Sequence, residues 1–122
     1  MRFVVHEHKA TRLHWDLRLE MEGVLKSWAV PKQLPVKSGI KRLAIQVEDH
    51  ALGYIDFKGT IPEGQYGAGT VKIWDKGTYL LKERTKDKIE AVFKGKKLKG
   101  AYALVRFRKS GRKNWLLMKL RN

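Results

Sequence analysis

Residues 8–20, HKATRLHWDLRLE, decide how this chain folds. From Arg12 to Glu20 the side chains alternate strictly, with Leu13, Trp15, Leu17 and Leu19 on one face and Arg12, His14, Asp16, Arg18 and Glu20 on the other. A period of two is that of a strand with one face against a core. The other face needs only to be polar, and Lys, Thr or Ser would serve there. This strand instead sets His, Asp and Arg in file. His14 and Asp16 project from the same side with Cβ atoms about 7 Å apart, a span that side chains can close around one ion. His8 lies just before an expected bend.

Outward from this strand the pattern stays extended. Met21-Glu22-Gly23 marks a tight hairpin, and residues 24–30 run back until Pro31 stops them. Residues 31–41, PKQLPVKSGIK, read as a loop. Residues 42–48 alternate again, Leu43, Ile45 and Val47 against Arg42, Ala44, Gln46 and Glu48. A strand is expected over 54–58, whereas 59–69, GTIPEGQYGAG, is too rich in Gly and Pro for regular structure. Residues 70–74 and 78–82 flank an expected turn at Asp75-Lys76-Gly77, and 83–90 fit a short helical turn. The remaining strands are expected at 91–93, 101–108 and 114–120, separated by KGKKLKG and KSGRK. No repeat or second domain is visible, so residues 1–122 read as one domain. Roughly eight to ten short strands with close turns imply an all-β fold, a small antiparallel barrel of roughly eight strands or a sandwich; closure removes exposed edges. Trp15, Trp28, Trp74 and Trp115 occupy strand positions and read as core, not as base-stacking platforms.

Composition narrows the partner. Lys and Arg number 27 against 12 Asp and Glu, a formal charge of +15. That exceeds what solubility requires and points to a polyanion. Nucleic acid ranks above membrane, because there is no basic amphipathic helix and no apolar run near the roughly 18 residues of a span. The N-terminus MRFVVHEHKA lacks the pattern of a secretion signal, so a cytoplasmic location is expected. There is no Cys, so any metal must be held by nitrogen and oxygen.

His8, His14 and Asp16 are therefore candidate metal ligands, against the plainer reading of a polar strand face. Imidazole with carboxylate suits Mn, Fe or Zn better than Mg or Ca. Three ligands leave positions open for water and substrate, as in catalytic sites. Arg18 continues the same face and beside a metal becomes a phosphate clamp, since a guanidinium binds two phosphate oxygens at once. His50, in VEDHALGY, is a candidate proton donor to a leaving oxygen, and Tyr54 offers a hydroxyl. GTIPEGQYGAG is not a phosphate-binding P-loop, because it lacks the Gly-Lys-Ser/Thr end and a following helix. The Lys-rich runs KGKKLKG and KSGRKN read as solvated turns, at positions that backbone contact to a duplex would use.

The runs HKATRLHWDLRLE, LKSWAVPK, KRLAIQVEDHALGY and GTIPEGQYGAGTVKIWDKG together resemble the 3′-phosphoesterase domain of bacterial DNA ligase D and its stand-alone archaeal relatives, over about residues 3–82. The resemblance implies a manganese-dependent enzyme on a β-barrel, with Zn or Co as alternative metals at the same site. Its implied action is removal of a 3′-terminal ribonucleoside by phosphodiester cleavage, then of the remaining 3′-phosphate, on DNA primer-template ends in nonhomologous end joining. By position, His8, His14 and Asp16 match the family's metal ligands, Arg18 and His50 its phosphate-contacting pair, and Tyr54 a further active-site residue. Lys32, Arg42 and Glu48 fall at supporting positions, with an ordinary surface-charge reading beside the functional one.

The resemblance also has a departure. Bacterial versions carry an N-terminal arm that contributes to activity on ribonucleotide ends, and this chain starts almost directly at Phe3, so the monoesterase step stands ahead of the diesterase step. Polymerase and ligase domains do not accompany it, and separate repair proteins are the expected partners. A non-catalytic basic β-barrel that binds nucleic acid is the alternative, and a hydrolase of a small phosphorylated metabolite ranks third.

Overall fold

Strict alternation becomes a sheet wherever a turn folds the chain back at the right register. In the computed structural model, which describes residues 1–121 and Ser110 by its backbone alone, nine strands form among the described residues. They are β1 (Arg2–Lys9), β2 (Leu13–Met21), β3 (Val24–Val30), β4 (Lys41–His50), β5 (Gly59–Ile61), β6 (Gly69–Arg84), β7 (Lys88–Lys94), β8 (Lys99–Arg106) and β9 (Asn114–Lys119). The sheet runs β1-β2-β3-β4-β9-β8-β7-β6, every pair antiparallel, and β6 returns to β1. The result is a closed eight-stranded barrel, with the short β5 laid along the start of β6. No helix among the described residues is long and apolar enough to cross a membrane.

The β2–β3 hairpin turns as expected: Glu22 and Gly23 both take positive φ, 55° and 80°, as a two-residue turn with the twist of its strands requires. The apolar face of β2 enters the barrel, where Leu17 and Leu19 meet Phe3, Trp28, Phe93, Tyr102 and Trp115. Edge-to-face ring pairs fix this packing, Phe3 on Phe93 at 4.9 Å and Trp28 on Trp115 at 5.8 Å. On β4 the barrel side is the one holding Ala44 and Gln46, and Val47 faces outward into a cleft. The two cross-strand neighbours are the reason: Ala44 pairs with Trp115 and Gln46 with Trp28, so the indoles fill the space and only a small or slender residue fits opposite.

Four local expectations need correction. Residues 54–58 are not a strand; a 3-10 turn spans Leu52–Asp56, because Leu52 and Ile55 stand three apart and pack with Val4 and Leu25 in a second apolar cluster outside the barrel. Residues 83–90 hold no helical turn but the β6–β7 hairpin, closed by the Thr85 amide donating to the Lys88 carbonyl at 2.8 Å. The stretch 59–69 contains β5. Asp75-Lys76-Gly77 does not turn: β6 runs through it for 16 residues, with a register shift opposite Val5 and His6. The Asp75 carboxylate accepts the amides of Lys76, Lys96, Lys97 and Leu98 at 2.7–3.0 Å, and Gly77 lies so close under the Lys94 carbonyl that a Cβ would stand 2.3 Å from it. Both turn-forming residue types serve here as strand-to-loop contacts.

Tyr102 ties the loop after β3 to the core, its hydroxyl donating to the Pro35 carbonyl at 2.7 Å. Burial, with the nearby Asp75 charge, pushes its pKa up to about 12. The unfolded chain ionises near pH 10, so this group's stabilisation is present below pH 10 and is lost as pH rises toward 12. Denaturant melts at pH 8 and pH 11 are expected to show that loss in the native chain. Tyr102→Phe is expected to cost about 1 kcal/mol at pH 8 and to lose less between the two pH values. An unchanged pH dependence in the variant contradicts the assignment.

Candidate metal centre and phosphate cleft

The β1–β2 hairpin brings the candidate ligands together by register. His8 pairs directly with His14 and His6 with Asp16, so even-numbered residues of both strands share the outer wall of the barrel. The chain after β4 folds back over this wall, and its 3-10 turn and the loop through residue 67 roof the polar face. Asp16 and Arg18 are left only 5% and 4% exposed, and His6 and Ser27 not at all. The face that alternation marks as polar is thus the floor of a cleft of about 420 Å³, lined by His8, His14, Asp16, Arg18, Glu48, His50, Tyr54 and Tyr66 among others.

One ligand atom from each of His8, His14 and Asp16 lies within 4.8 Å of the others. His14 Nε2 stands 3.2 Å and His8 Nδ1 3.7 Å from Asp16 Oδ2. The second nitrogen of each ring meets a backbone carbonyl. His8 Nε2 is 2.8 Å from the Gly67 carbonyl and His14 Nδ1 is 3.3 Å from the Arg12 carbonyl. A carbonyl only accepts, so those nitrogens are the donors in these contacts, and the nitrogen of each ring that faces Asp16 is the one it can offer to a metal. Three electron-rich atoms converge where a cation belongs. Two nitrogens and an oxygen, each imidazole fixed by a backbone carbonyl behind it, fit a divalent transition metal.

Protons can also fill that demand. The hydrogen bond with Asp16 raises the pKa of His14 against its partial burial. Burial alone would push Asp16 up, yet the His14 hydrogen bond and the Arg18 charge outweigh it and hold the carboxyl below its ordinary range. Asp16 is therefore ionised at neutral pH.

Arg18 is clamped from three sides. Its Nε–H donates to His6 Nδ1 at 3.0 Å, Nη1 to Ser27 Oγ at 2.9 Å and Nη2 to Asp16 Oδ2 at 3.3 Å. Ser27 passes its own hydrogen to the Leu25 carbonyl at 3.0 Å. Of five guanidinium hydrogens three are engaged, and one on each terminal nitrogen remains, the fork that a phosphate accepts from. Tyr54 lies under the guanidinium at 5.0 Å and stacks between His50 at 4.4 Å and Phe57 at 4.9 Å. Burial and the Arg18 charge lower the pKa of His50, so it is a neutral imidazole at neutral pH.

Of the sequence candidates, His8, His14, Asp16, Arg18, Glu48, His50 and Tyr54 line this cleft. Lys32 and Arg42 do not; they share a separate depression with Pro31, Lys41 and Leu43, where Arg42 Nε donates to the Gln33 carbonyl at 3.0 Å. Three participants are not marked by the sequence pattern. His6 is fully buried and its pKa is lowered to about 4 by burial and by Arg18; the signal that finds it is the same alternation carried back into β1. Ser27 is found by its register opposite Arg18. Tyr66, 99% exposed, stands at the rim of the cleft, in the loop whose Gly67 carbonyl holds His8.

The chain is thus a closed β-barrel whose outer wall carries an imidazole–carboxylate group able to hold a metal, beside a clamped arginine. The model of the DNA ligase D 3′-phosphoesterase domain matches residues 6–106, and the chain belongs to that family. It is 44% identical over all of its length to the multifunctional non-homologous end joining protein LigD of Pseudomonas aeruginosa. Over 98% of its length it is 46% identical to the LigD of Mycobacterium bovis, and over 99% it is 42% identical to that of Mycolicibacterium smegmatis. It spans only 15–17% of the length of these relatives.

Proposed function

We propose that this chain is a manganese-dependent phosphoesterase that heals DNA 3′ ends, removing a terminal ribonucleoside and then the 3′-phosphate, and that it serves double-strand break repair by nonhomologous end joining. The observation that carries the reading is the convergence of a ring nitrogen each from His8 and His14 on the Asp16 carboxylate, next to an arginine with two N–H groups left for a phosphate. The family membership and the end-joining relatives support it.

His8, His14 and Asp16 would hold the metal, and the chemistry it would supply there is Lewis acidity toward a phosphate oxygen and toward water. Arg18 binds two further phosphoryl oxygens with its free fork, and its three fixed contacts mean that it need not reorganise as charge builds there. His50 donates an N–H to a phosphoryl oxygen; a bound dianion offsets the Arg18 charge and draws a proton onto the ring for the leaving oxygen. Tyr54 holds His50 and Arg18 in place through its ring. Tyr66 offers a flat surface to a base at the rim. Lys32 and Arg42 are positioned to meet phosphates outside the cleft, and Glu48 to orient a basic or ligating neighbour.

The test is a labelled primer-template ending in one 3′-ribonucleotide, incubated with and without manganese and resolved by length and terminal phosphate. Stepwise loss of the nucleoside and then the phosphate is the expected result, and chelator stops both. Phosphate removal alone restricts the chain to the monoesterase step. DNA binding with no metal-dependent product favours the non-catalytic barrel, which the overall charge of +15 also accommodates.

A further inference from the structure

A second cavity takes no part in the site described above. It opens at one mouth of the barrel, about 480 Å³ in volume, between the β6–β7 and β8–β9 connections and the β3–β4 wall. Lys26, Arg84, Lys86 and Arg106 line it over a floor that includes Trp28, Gln46 and Trp115, and no acidic side chain lines it among the described residues.

Several of its N–H donors remain open. Gln46 Oε1 already accepts from Trp115 Nε1 at 3.2 Å, so its amide N–H groups remain for a ligand. Trp28 Nε1–H is buried without a partner among the described residues. Lys26 pairs with Asp49 at 3.0 Å, Arg84 with Glu22, and Arg106 with Asp87 at 3.3 Å, all with acids outside the lining. Lys86 makes no ion pair among the described residues, and its carbonyl accepts from Arg106 Nη2 at 2.9 Å, which fixes the loop that presents it. With no acid in its lining, one cation outside any ion pair among the described residues and spare N–H donors from Gln46 and Trp28, the cavity suits an acceptor-rich anion.

The mouth also adjoins the cleft. On β4, Gln46 faces the mouth while Val47, Glu48 and Asp49 face the cleft, and Lys26 of the mouth is bonded to Asp49 of the cleft. The β8–β9 connection beside the mouth carries Arg108, Lys109, Arg112 and Lys113, the basic run that the cleft chemistry leaves unused.

We propose that the barrel mouth is a second, non-catalytic phosphate site for the same nucleic-acid strand whose end occupies the cleft. The proposal rests on the reading of the chain as one that acts on nucleic-acid ends. The mouth sets affinity and register along the strand, whereas the cleft performs the chemistry.

Two variants test it against a control of equal charge. Lys86→Glu reverses the unpaired cation. Gln46→Glu keeps the acceptor for Trp115 and places an anion on the floor. Lys37→Glu makes the same reversal as Lys86→Glu on the exposed loop after β3, away from both cavities. Binding of a fluorescent primer-template is followed by anisotropy across a salt series, and hydrolysis of thymidine 3′-monophosphate, too small to span both cavities, is followed separately. Both mouth variants are expected to lose about tenfold in DNA affinity, with a shallower salt dependence for Lys86→Glu, while Lys37→Glu loses less than about twofold. Hydrolysis of the mononucleotide is expected to stay at its native rate. Equal losses in all three variants overturn the proposal in favour of a general charge effect. A parallel loss of mononucleotide hydrolysis overturns it in favour of a disturbed cleft. Competition by inorganic phosphate as strong as by an oligonucleotide of equal phosphate content also overturns it, since the mouth is then a small-anion pocket. If no variant or native chain hydrolyses either substrate, the cleft reading fails while the binding comparison still decides the mouth.

Discussion

Asp16→Ala is expected to reduce phosphate release about a thousandfold or more, on the order of 4 kcal/mol of transition-state stabilisation. The carboxylate has three tasks at once. It is one of the three candidate metal donors, it is the anion that a ring nitrogen of His8 and of His14 faces, and it accepts one of the three hydrogen bonds that hold Arg18. Asp16→Asn separates these tasks, because an amide oxygen keeps the shape and the Arg18 contact but carries no charge for a cation. Loss of activity and of manganese binding, read by the electron paramagnetic signal of free metal, is expected in both variants. DNA affinity is expected to change by less than about twofold, since it comes from many dispersed Lys and Arg side chains. Activity retained in Asp16→Asn with metal binding intact would falsify the ligand assignment.

Replacing Arg18 is expected to show that charge alone is not enough. Lys at this position keeps the cation but offers three donors on one nitrogen, which cannot reach His6, Ser27 and Asp16 and still present a fork to phosphate. Arg18→Lys is expected to lower kcat about a hundredfold with metal binding retained. Arg18→Ala also leaves the 5%-exposed Asp16 without its cation and His6 without its donor, and is expected to cost about 3 kcal/mol of folding stability besides. Thermal melts alongside single-turnover rates separate the two effects. Equal rates for native and Arg18→Lys enzyme would remove Arg18 from the phosphate site.

Much of this site is legible in the order of residues alone. The run LHWDLRLE shows both which residues enter the core and which share the opposite face, because strand periodicity is local. The Gly-containing turn after Met21 is equally local, since only certain residues tolerate two consecutive positive φ angles. His6 escapes notice because its role exists only through Arg18, twelve residues away. The DKG stretch misleads because Asp75 and Gly77 are turn-forming types whose actual partners, the backbone of residues 94–98, are distant in sequence.

The sequence by itself determined the strand pattern, the basic surface, the set of His, Asp and Arg on one strand face and the absence of thiol ligands. Those follow from residue type and a period of two. Tertiary structure alone decided that the polar face is a roofed cleft and not a solvated wall. Burial there comes from the 3-10 turn packing Ile55 on Val4 and Leu25, a contact between segments far apart in the chain. It also decided which nitrogen of each histidine faces Asp16, because the carbonyls of Arg12 and Gly67 that take the other nitrogens are placed by a turn and a loop that sequence periodicity does not describe. And it separated Lys32 and Arg42 from the cleft, since Arg42 lies at the start of β4 and Lys32 in the loop just after β3, whereas the end of β4 carries Glu48 and His50 into the cleft.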